Sequence, residues 1–284
     1  MLTLQSALEE AGAAIGRTDA QVIFAHLLGV DRAYLAAHPM RVLTESEDAR
    51  GDSLVARRAL GHPVAYLLGV REFYGRDFEV CPDVLIPRPE TETLVEAVLG
   101  RLPGAGPGLE PPRVLDLGTG SGAIAVTLAC ERPDARVAAS DRSPAALAVA
   151  ARNAGAHGCR VELLEGCWYA PVAGRRFDLI ASNPPYVAAG DPHLAAGDLR
   201  FEPAEALTDG SRDGLDSIRA IVAGAAAHLA PGGWLLFEHG HDQAHAARAL
   251  LEDAGFGALV SIADLAGIPR VAGGKIEDHK GESK

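Results

Sequence analysis

Two clusters in the chain have residue types suited to moving a methyl group onto a nitrogen. The first is Asn183-Pro184-Pro185-Tyr186, directly after the run Phe177-Asp178-Leu179-Ile180-Ala181-Ser182. A carboxamide or aromatic amine nitrogen shares its lone pair with a π system and attacks a methyl donor poorly. The Asn183 side-chain oxygen and the Pro184 backbone carbonyl suit the two N–H groups of such a nitrogen and aim its lone pair. Those protons become more acidic as the N–C bond forms, so both hydrogen bonds strengthen in the transition state. Alignment carries much of the rest of the barrier, and the chemistry needs neither a metal nor a covalent enzyme intermediate. Pro184 and Pro185 restrict the turn and disfavour a helical conformation at Asn183. Tyr186 adds a flat face. No residue stands out as a base for the departing proton, which passes to water.

The second cluster is Asp116-Leu117-Gly118-Thr119-Gly120-Ser121-Gly122, with Asp141 beyond it. Glycines at 118, 120 and 122 allow a sharp turn and let a ligand lie against the backbone at Gly118, Thr119, Gly120, Ser121 and Gly122. Asp141 is placed to accept hydrogen bonds from the two hydroxyls of a ribose. These features alone leave a nicotinamide dinucleotide open. Asp116 before the glycines is poorly matched to a pyrophosphate and well matched to the cationic amino acid end of S-adenosylmethionine. The loop lacks the Lys-Ser/Thr ending of a triphosphate site. Trp168 is the candidate flank for the adenine ring.

These clusters need a scaffold that brings them to one edge. Apolar spacing predicts helices over residues 2–15, from Thr18-Asp19 through Leu27, and over residues 44–60, a small helical domain. The aromatic residues of 73–80 around a glycine predict a hairpin, and residues 63–90 read as a bridge. A helix follows over residues 91–99, then a Gly/Pro-rich loop over 102–112. Strands are predicted at 113–117, 136–140, 161–164, 177–181 and 234–237, with helices at 122–130 and 143–154. This alternation implies an α/β fold, a Rossmann-like sheet, mostly parallel, with helices on both faces. The expected domains are 1–72, helical and substrate-docking; 73–90, hairpin and linker; and 91–284, catalytic. The sequence assigns the polar, Gly-containing tail at 275–284 no role beyond solvation.

Composition narrows the partners. At 284 residues the chain can bury one large core and carry a small accessory domain. A formal net charge of -12 is ill suited to holding long nucleic acid. No apolar run is long enough for a membrane span, and Glu9 and Glu10 interrupt any hydrophobic leader, so the expectation is a cytoplasmic protein with no membrane partner. Cys81, Cys130, Cys159 and Cys167 lack the spacing of a zinc site or a disulfide scaffold and are expected to be free thiols. His239 and His241 are spaced for a metal, but a surface or pocket role is expected, and no metal is assigned.

The chain resembles the HemK/PrmC family of release factor glutamine methyltransferases. The likeness spans about residues 20–274 and becomes specific at Pro63-Val64-Ala65-Tyr66-Leu67-Leu68-Gly69. It continues through Glu72-Phe73-Tyr74-Gly75, Leu85-Ile86-Pro87-Arg88-Pro89-Glu90-Thr91-Glu92, the glycine loop, Asn183-Pro184-Pro185-Tyr186, Phe201-Glu202-Pro203 and Asp213-Gly214-Leu215-Asp216. The resemblance implies methyl transfer from S-adenosylmethionine to N5 of the glutamine in the Gly-Gly-Gln loop of class I peptide chain release factors. It also implies a helical domain that helps dock the release factor. By the same match, Gly118 to Gly122, Asp141, Trp168 and Asn183 are cofactor contacts. Asn183, Pro184, Pro185 and Tyr186 form the glutamine pocket, and Asn183, Pro184 and Tyr186 are the catalytic set. Arg88, Glu90, Thr91 and Glu92 match a motif beside the active site and receive no catalytic role. A monomer without stable nucleic acid binding is expected. Two positions depart from the pattern. Cys167 stands where the family commonly has Asp, and His241 where it commonly has Tyr or Trp.

Clamp chemistry by itself leaves glutamine and adenine nearly tied. Glutamine methylation of a ribosomal protein and adenine-N6 methylation of DNA are the alternative activities, the latter disfavoured by the acidity. A noncatalytic nucleoside-binding scaffold is the alternative from another class.

Overall fold

The structure is a computed structural model and describes residues 2–277 apart from 105 and 107. It divides into two compact units, one of residues 1–70 with 195–201, the other of residues 71–194 with 202–284.

The first unit contains α1 (Leu4–Ile15), α2 (Arg17–Leu28), α3 (Arg32–Ala37), α4 (Glu45–Ala59) and α5 (Val64–Leu68). The sequence calls for three of these helices; α3 and α5 are too short to show a period, and α5 occupies part of the stretch read as a bridge. Capping sets their starts. Thr3 accepts from the Ser6 amide, Asp31 accepts from the Tyr34 amide at 2.7 Å, and Thr44 and Glu47 form a reciprocal capping box. Leu4, Ala7, Ala11, Ala20, Phe24, Leu35 and Leu43 bury the helices' apolar faces together. Gly51 of α4 lets the helix approach α2, since a Cβ there would stand 2.9 Å from the Phe24 ring. The segment 195–201 joins this unit from a distant part of the chain. Its Asp198 meets Arg58 at 2.7 Å, and Arg58 also holds Asp19 at 2.7 Å. Nothing in local spacing signals that return.

The second unit opens on a hairpin of β1 (Val70–Phe73) and β2 (Arg76–Glu79). Its turn residues Tyr74 and Gly75 both have positive φ, as a type I′ turn requires. After α6 (Glu92–Leu99) the chain forms β3 (Arg113–Leu117), α7 (Ala123–Glu131), β4 (Arg136–Asp141), α8 (Pro144–Ala156), β5 (Val161–Glu165) and β6 (Phe177–Ser182). The short α9 (Ala204–Leu207) precedes α10 (Asp216–His228), β7 (Leu229–Glu238), α11 (Ala244–Asp253), β8 (Phe256–Ala263) and β9 (Pro269–Ile276). The sheet order is β5-β4-β3-β6-β7-β9-β8. β3 to β7 are parallel, while β9 runs antiparallel to both β7 and β8.

The parallel strands are near-continuous apolar runs because helices cover both faces. One core holds Val114, Leu179, Leu236, Leu128 and Phe78, the other Leu115, Ile180, Leu235, Phe237 and Ile218. The β8/β9 pair is the largest departure from the sequence expectation. Gly273 and Gly274 lie inside β9, where a Cβ on Gly273 would overlap Leu236 of the neighbouring strand. Lys275 and Ile276, assigned to a solvated tail, are paired with Trp234 and Phe256. Residues 278–284 of that tail lie outside the described residues. No helix among the described residues is long and apolar enough to cross a membrane. All four cysteines are free.

Candidate active site

Sheet register assembles the site. The chain leaves β3 toward β4 and β5, then returns to place β6 on the other side of β3. Strand order thus reverses between β3 and β6, the place where open α/β sheets bind ligands. Leu117 is the register partner of Ser140 on one side and Ser182 on the other, and Ser182 pairs with Phe237. The residues just beyond this row are Gly118, Asp141, Asn183 and Glu238. Ser182 Oγ ties the row by donating to the Leu117 carbonyl at 2.7 Å, wholly buried.

The glycine loop turns from β3 into α7. Gly118 and Thr119 both donate their amides to the Ser140 carbonyl, at 2.8 and 3.0 Å. Gly122 has φ +82°, and a Cβ there would sit 3.1 Å from that of Ala150 in α8, so this position requires glycine. Asp141 receives the Gly120 amide on Oδ2 at 2.8 Å and the Ser143 amide on Oδ1 at 2.9 Å. Its carboxylate is thereby oriented, and each oxygen keeps a lone pair for a ribose hydroxyl.

Asp116 lies beneath this loop and not in its wall. It is fully buried, and its Oδ2 accepts from Thr119 Oγ1 at 2.7 Å. The Ala125 amide at the start of α7 draws its pKa down, but Oδ1 closes no hydrogen bond. Burial outweighs both contacts and pushes the carboxyl up to about 7. The direct placement beside a ligand inferred from sequence is therefore replaced by a supporting position under the turn.

Trp168 follows β5 with φ +48°, a left-handed conformation that costs a bulky residue about 1–3 kcal/mol. Ser140 Oγ holds it by donating to the Trp168 carbonyl at 3.0 Å. The ring packs on Gly118, where a Cβ would stand 3.4 Å from it. Trp168 thus forms one wall of a cavity of ≈ 270 Å³. Gly118, Thr119, Gly120, Ser121, Asp141 and Asn183 line the same cavity, as do Pro185 and the exposed Cys167. Gly122 and the buried Pro184 are not among its lining residues.

Asn183 reaches back from the cavity. Its Nδ2 donates to Thr91 Oγ1 at 3.1 Å, and Thr91 donates to Glu238 Oε2 at 2.6 Å. Tyr186 donates its phenol to the other oxygen, Glu238 Oε1, at 2.9 Å. Burial foremost, with Glu238 beside it, pushes the Tyr186 phenol well above its ordinary range, so it remains a neutral donor. The flat face expected of Tyr186 belongs to a side chain whose hydroxyl is committed inward. The Pro184 carbonyl accepts no hydrogen bond from the described residues.

Several residues to which the motif reading assigned no role position the site. Asn153 of α8 is buried; its Nδ2 donates to the Ser121 carbonyl at 2.8 Å and to the Glu79 carbonyl at 3.1 Å, while Oδ1 accepts from the Glu79 amide at 2.7 Å. It pins the glycine loop to the hairpin. A lone asparagine in an alanine-rich amphipathic helix is its only sequence signal. Glu202 has a buried carboxylate that accepts from the Ile86 amide at 3.0 Å and pairs with Arg88, joining two separated motifs. Gln243 donates to the Tyr186 and Asp213 carbonyls at 3.0 and 2.8 Å and accepts from the Gly240 amide at 2.8 Å. His239 is buried with Nδ1 at 2.7 Å from the Gly240 carbonyl, whereas His241 is exposed.

Comparison with known proteins agrees with this architecture. Residues 3–69 match the PrmC N-terminal domain, and residues 107–212 match the methyltransferase small domain. A release factor glutamine methyltransferase from Burkholderia pseudomallei is 54% identical over 265 residues, covering 91% of each chain. The chain belongs to the release factor glutamine methyltransferase family. The family's enzyme from Xylella fastidiosa is 52% identical over 92% of this chain and 94% of its own. That from Salmonella typhimurium is 44% identical over 91% and 92%. Among solved structures, a T. thermophilus 16S rRNA methyltransferase in complex with AdoMet and guanosine aligns with a TM-score of 0.54 and 25% identity, over 73% of this chain and 50% of its own. A methyltransferase from Pyrococcus furiosus aligns with a TM-score of 0.54 at 19% identity, over 78% and 97%, and shares the fold.

Proposed function

We propose that the protein methylates N5 of the glutamine in the Gly-Gly-Gln motif of class I peptide chain release factors, using S-adenosylmethionine. The observation that carries the chemistry is the Asn183 amide, tied by Nδ2 to Thr91 with Oδ1 free of hydrogen bonds from the described residues, at the edge of the glycine-loop cavity. Relatives named for the same reaction, alike over nine-tenths of their length, support the substrate.

S-adenosylmethionine, when bound, would supply an electrophilic methyl on its sulfonium, the sulfur keeping the S–C bonding pair and leaving as a neutral thioether. The chain holds and orients both reactants. Asp141, fixed by two backbone amides, takes the ribose hydroxyls, and the backbone from Gly118 to Ser121 borders the rest. Trp168 flanks the adenine. Asp116, under the loop, accepts from Thr119 and so supports the turn that borders the cofactor. Asn183 Oδ1 and the Pro184 carbonyl accept the two N–H groups of the target amide and leave its lone pair facing the methyl group. As nitrogen gains positive character these two bonds strengthen, lowering the barrier. The proton then passes to water. Pro185 and Tyr186 complete the glutamine pocket, and the helical unit docks the release factor. The protein works as a monomer in the cytoplasm, where translation terminates.

Mass spectrometry after incubating the protein with S-adenosylmethionine and a release factor tests the proposal. Fragmentation is expected to place one added methyl group on the glutamine of Gly-Gly-Gln. Methylated DNA or ribosomal protein beside an unmodified release factor would overturn it.

A further inference from the structure

We propose that Glu238, acting through Thr91, sets which end of the Asn183 amide faces the substrate. This rests on the reading that Asn183 Oδ1 accepts from the target amide. A carboxamide has nearly isosteric ends of opposite polarity. Turned over, Asn183 would present N–H to N–H. Its only hydrogen-bond partner among the described residues is the Thr91 hydroxyl, which by itself donates or accepts equally well.

Glu238 removes that ambiguity. Burial raises the Glu238 pKa against the hydrogen bonds from Thr91 and Tyr186, and its Oε2 accepts from Thr91 at 2.6 Å, which commits the hydroxyl's single proton. Thr91 then has only lone pairs to offer, and Asn183 must meet it with Nδ2, as it does at 3.1 Å. Oδ1 is left for the cavity. The second Glu238 oxygen takes the Tyr186 phenol at 2.9 Å, so one carboxylate anchors the first and last residues of the Asn-Pro-Pro-Tyr turn. Neither Thr91 nor Glu238 need touch the reacting nitrogen; both are positioning residues. Their places tie the motif before α6 and the end of β7 to the turn after β6.

The test compares kcat with S-adenosylmethionine affinity in purified full-length variants. Thr91→Val keeps the shape and removes the hydroxyl. It is expected to lower kcat about 10- to 100-fold, with the cofactor Kd changed less than about threefold. Thr91→Ser is expected to recover most of that loss. Unchanged kcat in Thr91→Val overturns the relay, provided Asn183→Ala abolishes turnover; if Asn183→Ala also remains active, the reading of Asn183 itself falls. A second pair guards against misfolding of Thr91→Val. Asn183→Asp places acceptors at both ends and is expected to cost about 100-fold or more in kcat. Adding Glu238→Gln supplies an N–H to Thr91 and frees its proton for the new carboxylate. Glu238→Gln is therefore expected to raise kcat about tenfold in the Asn183→Asp background and not in the wild type. A purely structural Glu238 would give the same loss in both backgrounds, and that result overturns the proposal.

Discussion

Gly214 packs so tightly against Tyr186 that a Cβ built on it would overlap the Tyr186 carbonyl group. Gly214 also has φ +66°. The same carbonyl accepts from Gln243, whose Nε2 would lie 3.0 Å from that added carbon. A turn preceding α10 and the end of the Asn-Pro-Pro-Tyr turn thus share one backbone contact that admits no side chain.

Gly214→Ala is accordingly expected to destabilise the protein by about 2–4 kcal/mol, through both the unfavourable φ and the clash. Urea denaturation checks the stability. Turnover should also fall in the fraction that remains folded, because relief of the clash displaces Tyr186.

Asn183→Ala removes the proposed acceptor while leaving Asp141 and the glycine loop in place. We expect kcat to fall about 100-fold or more, with S-adenosylmethionine binding by calorimetry changed only modestly. Wild-type turnover in this variant would show that another group orients the amide.

Asn153→Ala removes a buried amide that closes three hydrogen bonds between α8, the glycine loop and the hairpin. The Glu79 amide and the Ser121 carbonyl lose their partner. A loss of about 2–4 kcal/mol is expected from denaturation, with a higher Kd for S-adenosylmethionine as the loop loosens. Cofactor affinity equal to wild type would mean the loop holds its shape through the Ser140 contacts alone.

Asp116 links cofactor-free stability to pH. Its carboxyl is raised from 3.8 to about 7 in the folded chain, so between those values the folded state holds a proton that the unfolded state has lost. The group's contribution therefore becomes less favourable as pH rises from about 4, and levels off above about 7, a change of a few kcal/mol. Asp116→Asn lacks this titration. Denaturation at pH 5 and pH 8 is expected to show wild type losing stability relative to Asp116→Asn. A difference independent of pH would place the Asp116 titration outside this range.

Local chemistry made much of the site readable before any fold was known. Glycines at alternate positions, an aspartate closing the next strand and an Asn-Pro-Pro-Tyr turn are contiguous, and each carries its backbone requirement in its own residue types. The parallel strands were legible because burial on both faces demands unbroken apolar runs. The β8/β9 pair was not, because Gly273 and Gly274 signify turns locally but close approach to a neighbouring strand in the sheet.

What the sequence determined by itself is the chemistry on offer: an Asn-Pro-Pro-Tyr turn whose side-chain and backbone oxygens can accept hydrogen bonds, and a glycine loop followed by an aspartate. What only tertiary structure decided is orientation. Asp116 moved beneath the loop, Tyr186 turned its hydroxyl inward, and Asn183 acquired a direction from Thr91 and Glu238, residues 92 and 55 positions away in the chain. The physical reason is that hydrogen-bond polarity belongs to a chain of partners. Register between β3, β6 and β7 brings those partners together, and no local spacing encodes it.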